Sequence, residues 1–345
     1  MRAWRVHRYG SPSEALSLDE IEAPEPGPGE VRVRVSATVL NWNDIDGCYG
    51  RYETVKPDVP YVLGMEVVGR VEAVGDGAEE WLGQRVMTTP RAATGGYAEL
   101  AVAPVNMTFR VPDAMSDDDA AAFYFPYHVS GIGLLERARL SAGESVLVHA
   151  GAGGIGSAAI QLGKAIGATV FATCGGEEKA AFCRQLGADF AIDYSRQDFA
   201  EVVLDKTEGH GVNVVLDTVG GEVTEKSWRC IGLHGRHLIA GFSGGIELED
   251  EKWMTLRPLV FGNFNLMGVI MSYAEDPTVI KRATGFNFLP LEDARAMHER
   301  LLGWYESGAL RSVIAGTVSF DEVPRGLEIL EQRKVLGRMV VRMPG

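Results

Sequence analysis

The stretch Ser145-Val-Leu-Val-His-Ala-Gly-Ala-Gly-Gly-Ile-Gly156 constrains this chain more than any other. Gly151, Gly153 and Gly156 fit G-x-G-x-x-G. An apolar strand pattern precedes them and an alanine-rich helix pattern follows, which is the context the motif needs. The three glycines permit a tight turn, close backbone approach to a pyrophosphate, and close helix–strand packing. The helix N-terminus then offers unpaired N–H groups and a positive dipole end to a phosphate. The stretch therefore predicts a strand–loop–helix unit that binds a dinucleotide.

The pattern around it extends that unit into a sheet. Apolar strands are predicted at Ser145–His149, Thr169–Thr173, Val212–Asp217, Arg236–Ala240 and Leu266–Met271. Helical patterns at Ser157–Ile166 and Glu177–Leu186 fall among them. β-branched runs separated by helices indicate a parallel sheet covered on both faces. Residues 1–110 read differently. Glu30-Val-Arg-Val-Arg-Val-Ser36 alternates strictly, Val67–Val74 and Gly96–Val102 are further strands, and Gly/Pro turns separate them. Several short strands at close spacing predict a barrel or folded sheet. After Pro290 come a helix, Leu291–Ser307, and strands at Ser312–Phe320 and Arg338–Arg342. The fold class is thus α/β: a doubly wound parallel sheet plus a β-barrel domain.

Length and charge limit the function classes. A chain of 345 residues is long enough for two domains. Its net charge of −14 repels phosphate backbones and acidic lipid over most of the surface. Neither nucleic acid nor a membrane is expected as a partner. No apolar run reaches the length of a spanning helix, and the polar N-terminus is no signal peptide. The four cysteines, Cys48, Cys174, Cys183 and Cys230, are scattered without a C-x-x-C pair. Free thiols of this kind fit a reducing cytoplasm.

The second strand decides between cofactors. An NAD site places an acid at its end to hold the ribose 2′-hydroxyl. Here the strand ends Phe171-Ala-Thr-Cys-Gly-Gly176, and the first acid, Glu177, starts the next helix. Lys179 follows within a turn. A missing carboxylate beside a cation favours a 2′-phosphate, hence NADPH. Other chemistries lack support. His234-Gly-Arg-His237 has no further metal ligand that can be placed beside it. There is no G-x-S-x-G. His128 and His149 read as packing or loop residues rather than bases, and Asp44 and Asp46 read equally well as a carboxylate pair or as turn residues.

Taken together, the motifs resemble the medium-chain dehydrogenase/reductase superfamily. The resemblance runs along nearly the whole chain. It is carried by Asn41-Trp-Asn-Asp44, Leu63-Gly-Met-Glu-Val-Val-Gly69, Ala150–Gly156, Leu186-Gly-Ala-Asp189, Ile192-Asp-Tyr194, Asp217-Thr-Val-Gly220, Gly241-Phe-Ser243 and Leu336-Gly-Arg338. It is greatest to the zinc-independent NADPH:quinone oxidoreductases related to zeta-crystallin. Zinc alcohol dehydrogenases carry Cys near the position of Asn41 and Gly-His-Glu where this chain has Gly64-Met65-Glu66. Residues 87–100 also lack the cysteines of their structural zinc lobe. A thioether does not replace an imidazole on Zn²⁺, so no metal is expected.

The resemblance implies specific contacts. Gly151, Gly153, Gly154, Ile155 and Gly156 form the phosphate loop. Lys179 and Tyr194 hold the 2′-phosphate, with Gly175 leaving room. Phe242, Ser243 and Val269 surround the nicotinamide ribose, and Val219 is a further cofactor contact. Ser130 stands where the family has Thr, Arg338 reaches the cofactor from the last strand, and Asn41 lies near the nicotinamide. The implied reaction passes hydride from NADPH to a quinone or to an α,β-unsaturated carbonyl. Tyr52 is the first candidate donor to the substrate carbonyl and Asn41 the second. Alternatives are an enoyl or 2-alkenal double-bond reductase and a non-catalytic, crystallin-like NADPH-binding protein. The implied architecture is a GroES-like domain from residues 1–127 and 272–345 with a Rossmann domain, 128–271, inserted, and a homodimer through the last Rossmann strand.

Overall fold

The computed structural model describes residues 1–51, 57–246 and 257–344. The chain divides into two compact units. One comprises Met1–Phe125, Ser272–His298 and Ser312–Gly345; the other comprises Pro126–Met271 and Glu299–Arg311.

The second unit is built on a six-stranded sheet. Its strands are β1 (Ser145–Val148), β2 (Thr169–Cys174), β3 (Phe190–Asp193), β4 (Val212–Asp217), β5 (Ile231–Ile239) and β6 (Asn265–Gly268). They lie in the order β3-β2-β1-β4-β5-β6, and every pairing is parallel. This is the doubly wound order, in which the winding reverses between β1 and β4. Burial explains the sequence of the central strands: Val146, Leu147 and Val148, and Val214, Val215 and Leu216, have no exposure. Both faces of these strands are covered, so their apolar runs are continuous rather than alternating.

The crossover helices follow from local sequence. Helix α1 (Gly154–Ile166) begins directly in the glycine loop and ends at Gly167, whose φ of 93° closes it in the left-handed conformation. Helix α2 (Glu177–Gln185) carries two acids in its first turn and Arg184 in its last, matching the helix dipole. Helix α3 (Phe199–Lys206) is capped by Asp198, whose carboxylate accepts from Ala200 and Glu201 N–H. Residues 299–311 group with this unit for a visible reason. Gln161 brackets the Arg311 backbone, with Nε2 donating to its carbonyl at 3.2 Å and Oε1 accepting from its N–H at 3.1 Å. Tyr127 Oη donates to the same carbonyl at 3.0 Å.

The first unit is largely antiparallel. Glu30–Leu40 is its longest strand and pairs with Val67–Val74, Leu100–Pro104 and Arg338–Arg342. Two register shifts against Val67–Val74 bend it so that it serves several neighbours. Its expected alternation holds through Val31, Val33 and Val35, which face a core of Val67, Val71, Trp81 and Val86. From Ala37 to Leu40 every residue is buried, because the strand is covered on both sides there. The chain's C-terminal strand Arg338–Arg342 joins this sheet beside it, so distant segments of sequence complete one unit.

Candidate functional site

The carboxyl ends of β1, β2, β4 and β5 gather most of the expected cofactor residues. At β1, the loop Ala150–Gly153 turns back on the strand, and Gly153 N–H donates to Ala150 carbonyl at 2.9 Å. A Cβ on Gly156 would lie 2.2 Å from the Ala150 oxygen, so no other residue fits there. A Cβ on Gly151 would meet Ala172 and Cys183 at 3.0 Å. The helix therefore starts in close contact with the strand, and its first-turn N–H groups have no intrahelical acceptor. This cradle fits a pyrophosphate. Ser130 belongs to it: its hydroxyl donates to the Ile155 carbonyl at 3.3 Å.

At β2, the turn Gly175–Gly176 faces Tyr194. A Cβ at Gly175 would sit 2.8 Å from Tyr194 Oη, and Tyr194 N–H donates to Cys174 carbonyl at 3.0 Å. Lys179 is in the first turn of α2, half-buried, and Tyr194 is exposed. Asp193, which the sequence reading passed over, braces this corner. Its Oδ1 accepts from Gly176 N–H at 2.8 Å and from Ser195 N–H and Oγ at 3.0 and 2.6 Å. The Ser195 hydroxyl and the Gly176 N–H hold its carboxyl below the ordinary value. It is the acid at the end of β3, an element too short to stand out in the sequence.

At β4 and β5, Val219, Phe242 and Ser243 come together. Ser243 N–H donates to Thr218 carbonyl at 3.0 Å and Gly244 N–H to Val219 carbonyl at 2.9 Å. Val269 N–H donates to Ile239 carbonyl at 2.9 Å, just past β6.

Asn41 and Arg338 lie in the other unit, and there they meet each other. Arg338 Nη1 donates to Asn41 Oδ1 at 2.7 Å, and Nη2 donates to Glu66 Oε1 at 2.5 Å. A guanidinium only donates, so this contact fixes the Asn41 amide with its oxygen toward Arg338. All three residues are buried, Arg338 with 7% exposure and Glu66 with 1%. Glu66 also accepts from Phe125 N–H at 3.3 Å. Burial pushes the Glu66 carboxyl upward, and the Arg338 charge opposes it. Beside this group, Asp44 Oδ2 accepts from Tyr97 Oη at 2.5 Å and from Asn41 N–H at 2.9 Å. Asp44 thus does more than the turn chemistry that is one of its two readings from sequence. Among the described residues, no three His, Cys, Asp or Glu side chains are grouped so as to hold a metal ion. Tyr52 lies outside the described residues.

Comparison with known proteins places this geometry in a family. Residues 27–113 match the alcohol dehydrogenase GroES-like domain, and residues 154–284 match the zinc-binding dehydrogenase domain. A synaptic vesicle membrane protein VAT-1 homolog from Rattus norvegicus is 30% identical over 93% of this chain and 78% of its own length. A quinone oxidoreductase from the same organism is 29% identical over 91% of this chain and 97% of its own. A mycobacterial structure complexed with NADPH superposes with a TM-score of 0.85 at 29% identity, covering 99% of both chains. The chain belongs to the medium-chain dehydrogenase/reductase superfamily, in its quinone oxidoreductase-like family.

Asp44 gives this unit a pH signature. Burial pushes its carboxyl up to about 7, Glu66 adds to that, and the Tyr97 and Asn41 donors and Arg338 oppose it. A carboxyl raised on folding contributes stability below its unfolded value, and the contribution is lost as pH rises through about 7. Asp44→Asn keeps an oxygen for both donors and removes the ionisation. The variant's Tm should therefore gain on the wild type as pH rises from 4 to 8, by on the order of 5 °C. Thermal melts across that range check this; a constant difference would contradict it.

Proposed function

We propose that this protein is an NADPH-dependent, zinc-independent reductase that acts on quinones or related α,β-unsaturated carbonyls. The observation that carries the cofactor half is the corner at the end of β2. The chain ends that strand in Gly175-Gly176 instead of an acid, with Lys179 in the next turn and Tyr194 against Gly175. Of the acids around that turn, Asp193 is buried and engaged with Gly176 and Ser195, and Glu177, in the first turn of α2, pairs with Arg184. The strand thus lacks the acid at its end that would hold a ribose 2′-hydroxyl, while Lys179 and Tyr194 are a cation and a phenol suited to a 2′-phosphate. The NADPH in the mycobacterial neighbour supports the same reading.

Each residue of the chain then has a task. The first turn of α1, from Gly154 to Gly156, binds the pyrophosphate through backbone N–H groups. Lys179 and Tyr194 bind the 2′-phosphate. Val219, Phe242, Ser243 and Val269 shape the space for the nicotinamide half, and Ser130 buttresses the phosphate loop through Ile155. When bound, NADPH supplies the hydride. Tyr52 donates a hydrogen bond to the substrate oxygen, where negative charge develops, with Asn41 as the second polar group in that role. Metal independence is supported by the side chains present. Met65 is a poor zinc ligand, and Glu66 and Asn41 are both engaged by Arg338. Arg338, read from the sequence as a cofactor contact, is thereby tied to two protein partners. The quinone half of the proposal is supported by the relatives rather than by a substrate-shaped feature of this chain.

The protein is further proposed to be a cytoplasmic homodimer formed through β6. Among the described residues that strand ends the sheet and pairs along one edge only, and Leu266, Ile270, Val260 and Phe261 are exposed on or beside it. An edge with apolar neighbours is suited to pairing with its own copy across a two-fold axis.

Three measurements test these readings. Lys179→Ala should raise the KM for NADPH by tenfold or more and leave that for NADH within about twofold. Equal effects would remove the 2′-phosphate assignment. The same assay with a quinone, a short enal and an enoyl thioester separates quinone reduction from double-bond reduction, and binding of NADPH without turnover of any would leave the non-catalytic reading. Sedimentation equilibrium should give about twice the chain mass of 37.3 kDa, and a mass near the single-chain value would exclude the dimer.

A further inference from the structure

The winding of the sheet reverses between β1 and β4, and a buried polar cluster sits at the carboxyl ends of those two strands. Asp217 ends β4 with a fully buried side chain. Its Oδ1 accepts from Val219 N–H at 2.8 Å and from Gly220 N–H at 3.1 Å. Its Oδ2 accepts from Thr224 Oγ1 at 2.5 Å and from His237 Nε2 at 3.3 Å. A carboxylate only accepts, so His237 carries its hydrogen on Nε2. Burial pushes the Asp217 carboxyl upward, but the hydrogen bonds from His237 and Thr224 more than offset it.

His149, just past β1, completes the cluster. Ser227 gives its hydroxyl hydrogen to Val223 carbonyl at 2.7 Å, so it accepts from His149 Nε2 at 2.8 Å. His149 Nδ1 then accepts from Thr173 Oγ1 at 2.9 Å. Burial pushes this ring down to about 4, and it is neutral. Four strands are thus tied together at one end of the sheet.

The consequence lies in the backbone that leaves β4. With Val219 and Gly220 N–H groups turned onto Asp217 Oδ1, the carbonyls of residues 217–219 are left as a short acceptor row. The loop after β5 is laid on that row. Ala240 N–H donates to Asp217 carbonyl at 2.7 Å, Ser243 N–H to Thr218 carbonyl at 3.0 Å, and Gly244 N–H to Val219 carbonyl at 2.9 Å. The fit is close, since a Cβ on Gly244 would meet the Val219 oxygen at 2.8 Å.

We infer that Asp217 is a positioning residue that sets the nicotinamide half of the cofactor site by ordering the loops 218–220 and 240–244 together. It touches no ligand itself; it acts through Val219, Phe242 and Ser243. Its pins are Thr224 and His237. The 2′-phosphate corner, built on β2 and β3, does not depend on it. The inference rests on the NADPH reading above and goes further, because it divides the cofactor site into two halves with separate supports.

The two halves are separable with two probes. NADPH spans both, whereas 2′,5′-ADP occupies only the adenosine-phosphate half. In the full-length protein, Asp217→Asn should weaken NADPH by at least tenfold in a fluorescence titration. It should leave 2′,5′-ADP within twofold by calorimetry. Equal weakening of both probes, or of neither, would overturn the inference. Thr224→Val keeps the carboxylate and removes one pin, so it decides the matter if Asp217→Asn does not fold. It should weaken NADPH about threefold and leave 2′,5′-ADP unchanged, and an equal effect on both would again overturn the inference. Failure of the wild type to bind either probe would remove the cofactor reading and this inference with it, a result distinct from a variant that treats the probes alike.

Discussion

The contact on which the nucleotide-binding unit depends is the approach of α1 to the end of β1. The Ala150 carbonyl and the Gly156 Cα region are so close that a single methyl group would overlap the oxygen. That distance brings the helix's first N–H groups to the crevice at the carboxyl end of the sheet. It also sets the rest of the unit. The helix must then run back along a fully apolar face, which is why Ala158, Ala159, Ile160 and Leu162 are buried. The strands under it must be apolar on both faces, which is why β1 and β4 read as uninterrupted runs. A dinucleotide-binding crevice is thus a consequence of backbone packing before any charged side chain is considered.

Side chains then specialise the two ends of that crevice. At the end of β2, Asp193 holds the Gly175-Gly176 turn, and Lys179 is the cation that the NADPH proposal assigns to the 2′-phosphate. At the ends of β4 and β5, the proposed organiser is the buried carboxylate of Asp217. Asp217 turns two N–H groups onto itself and leaves carbonyls for a second loop to bind. In the other unit, the Arg338–Glu66–Asn41 group shows the same principle. A buried guanidinium between a carboxylate and an amide satisfies charges that would otherwise be costly to bury. Breaking such a pair on one side is more damaging than lacking both partners.

Much of the fold was legible because its signals are local. The glycine loop, the apolar run of β1 that leads into it, the apolar run of β4, and the alternation of Val31, Val33 and Val35 are each legible locally. Strand β3 was missed. Phe190–Asp193 is short and, unlike β1, has no glycine loop to mark it, and the strand forms because β2 offers it a parallel edge. Helix α3 was missed with it. The membership of residues 299–311 in the second unit was also hidden, since it depends on Gln161 meeting Arg311 across 150 positions of sequence. Among the candidate site residues, the glycines were visible through type and spacing, and Lys179 through its place after β2 together with the family resemblance. Asp193, Asp217 and His237 were not, because an Asp or His in a strand looks alike whether it braces a loop or faces water. Only the backbone N–H groups that converge on Asp217 reveal what it holds.

Recognition of a 2′-phosphate is the claim that most of the functional reading rests on. Calorimetric titration of the wild-type protein with NADPH and with NADH, under identical salt, measures it without assuming any substrate. A charge-assisted contact to the phosphate is worth about 1.5–3 kcal/mol, so NADPH should bind at least tenfold more tightly. Equal affinity for the two, or tighter binding of NADH, would contradict it.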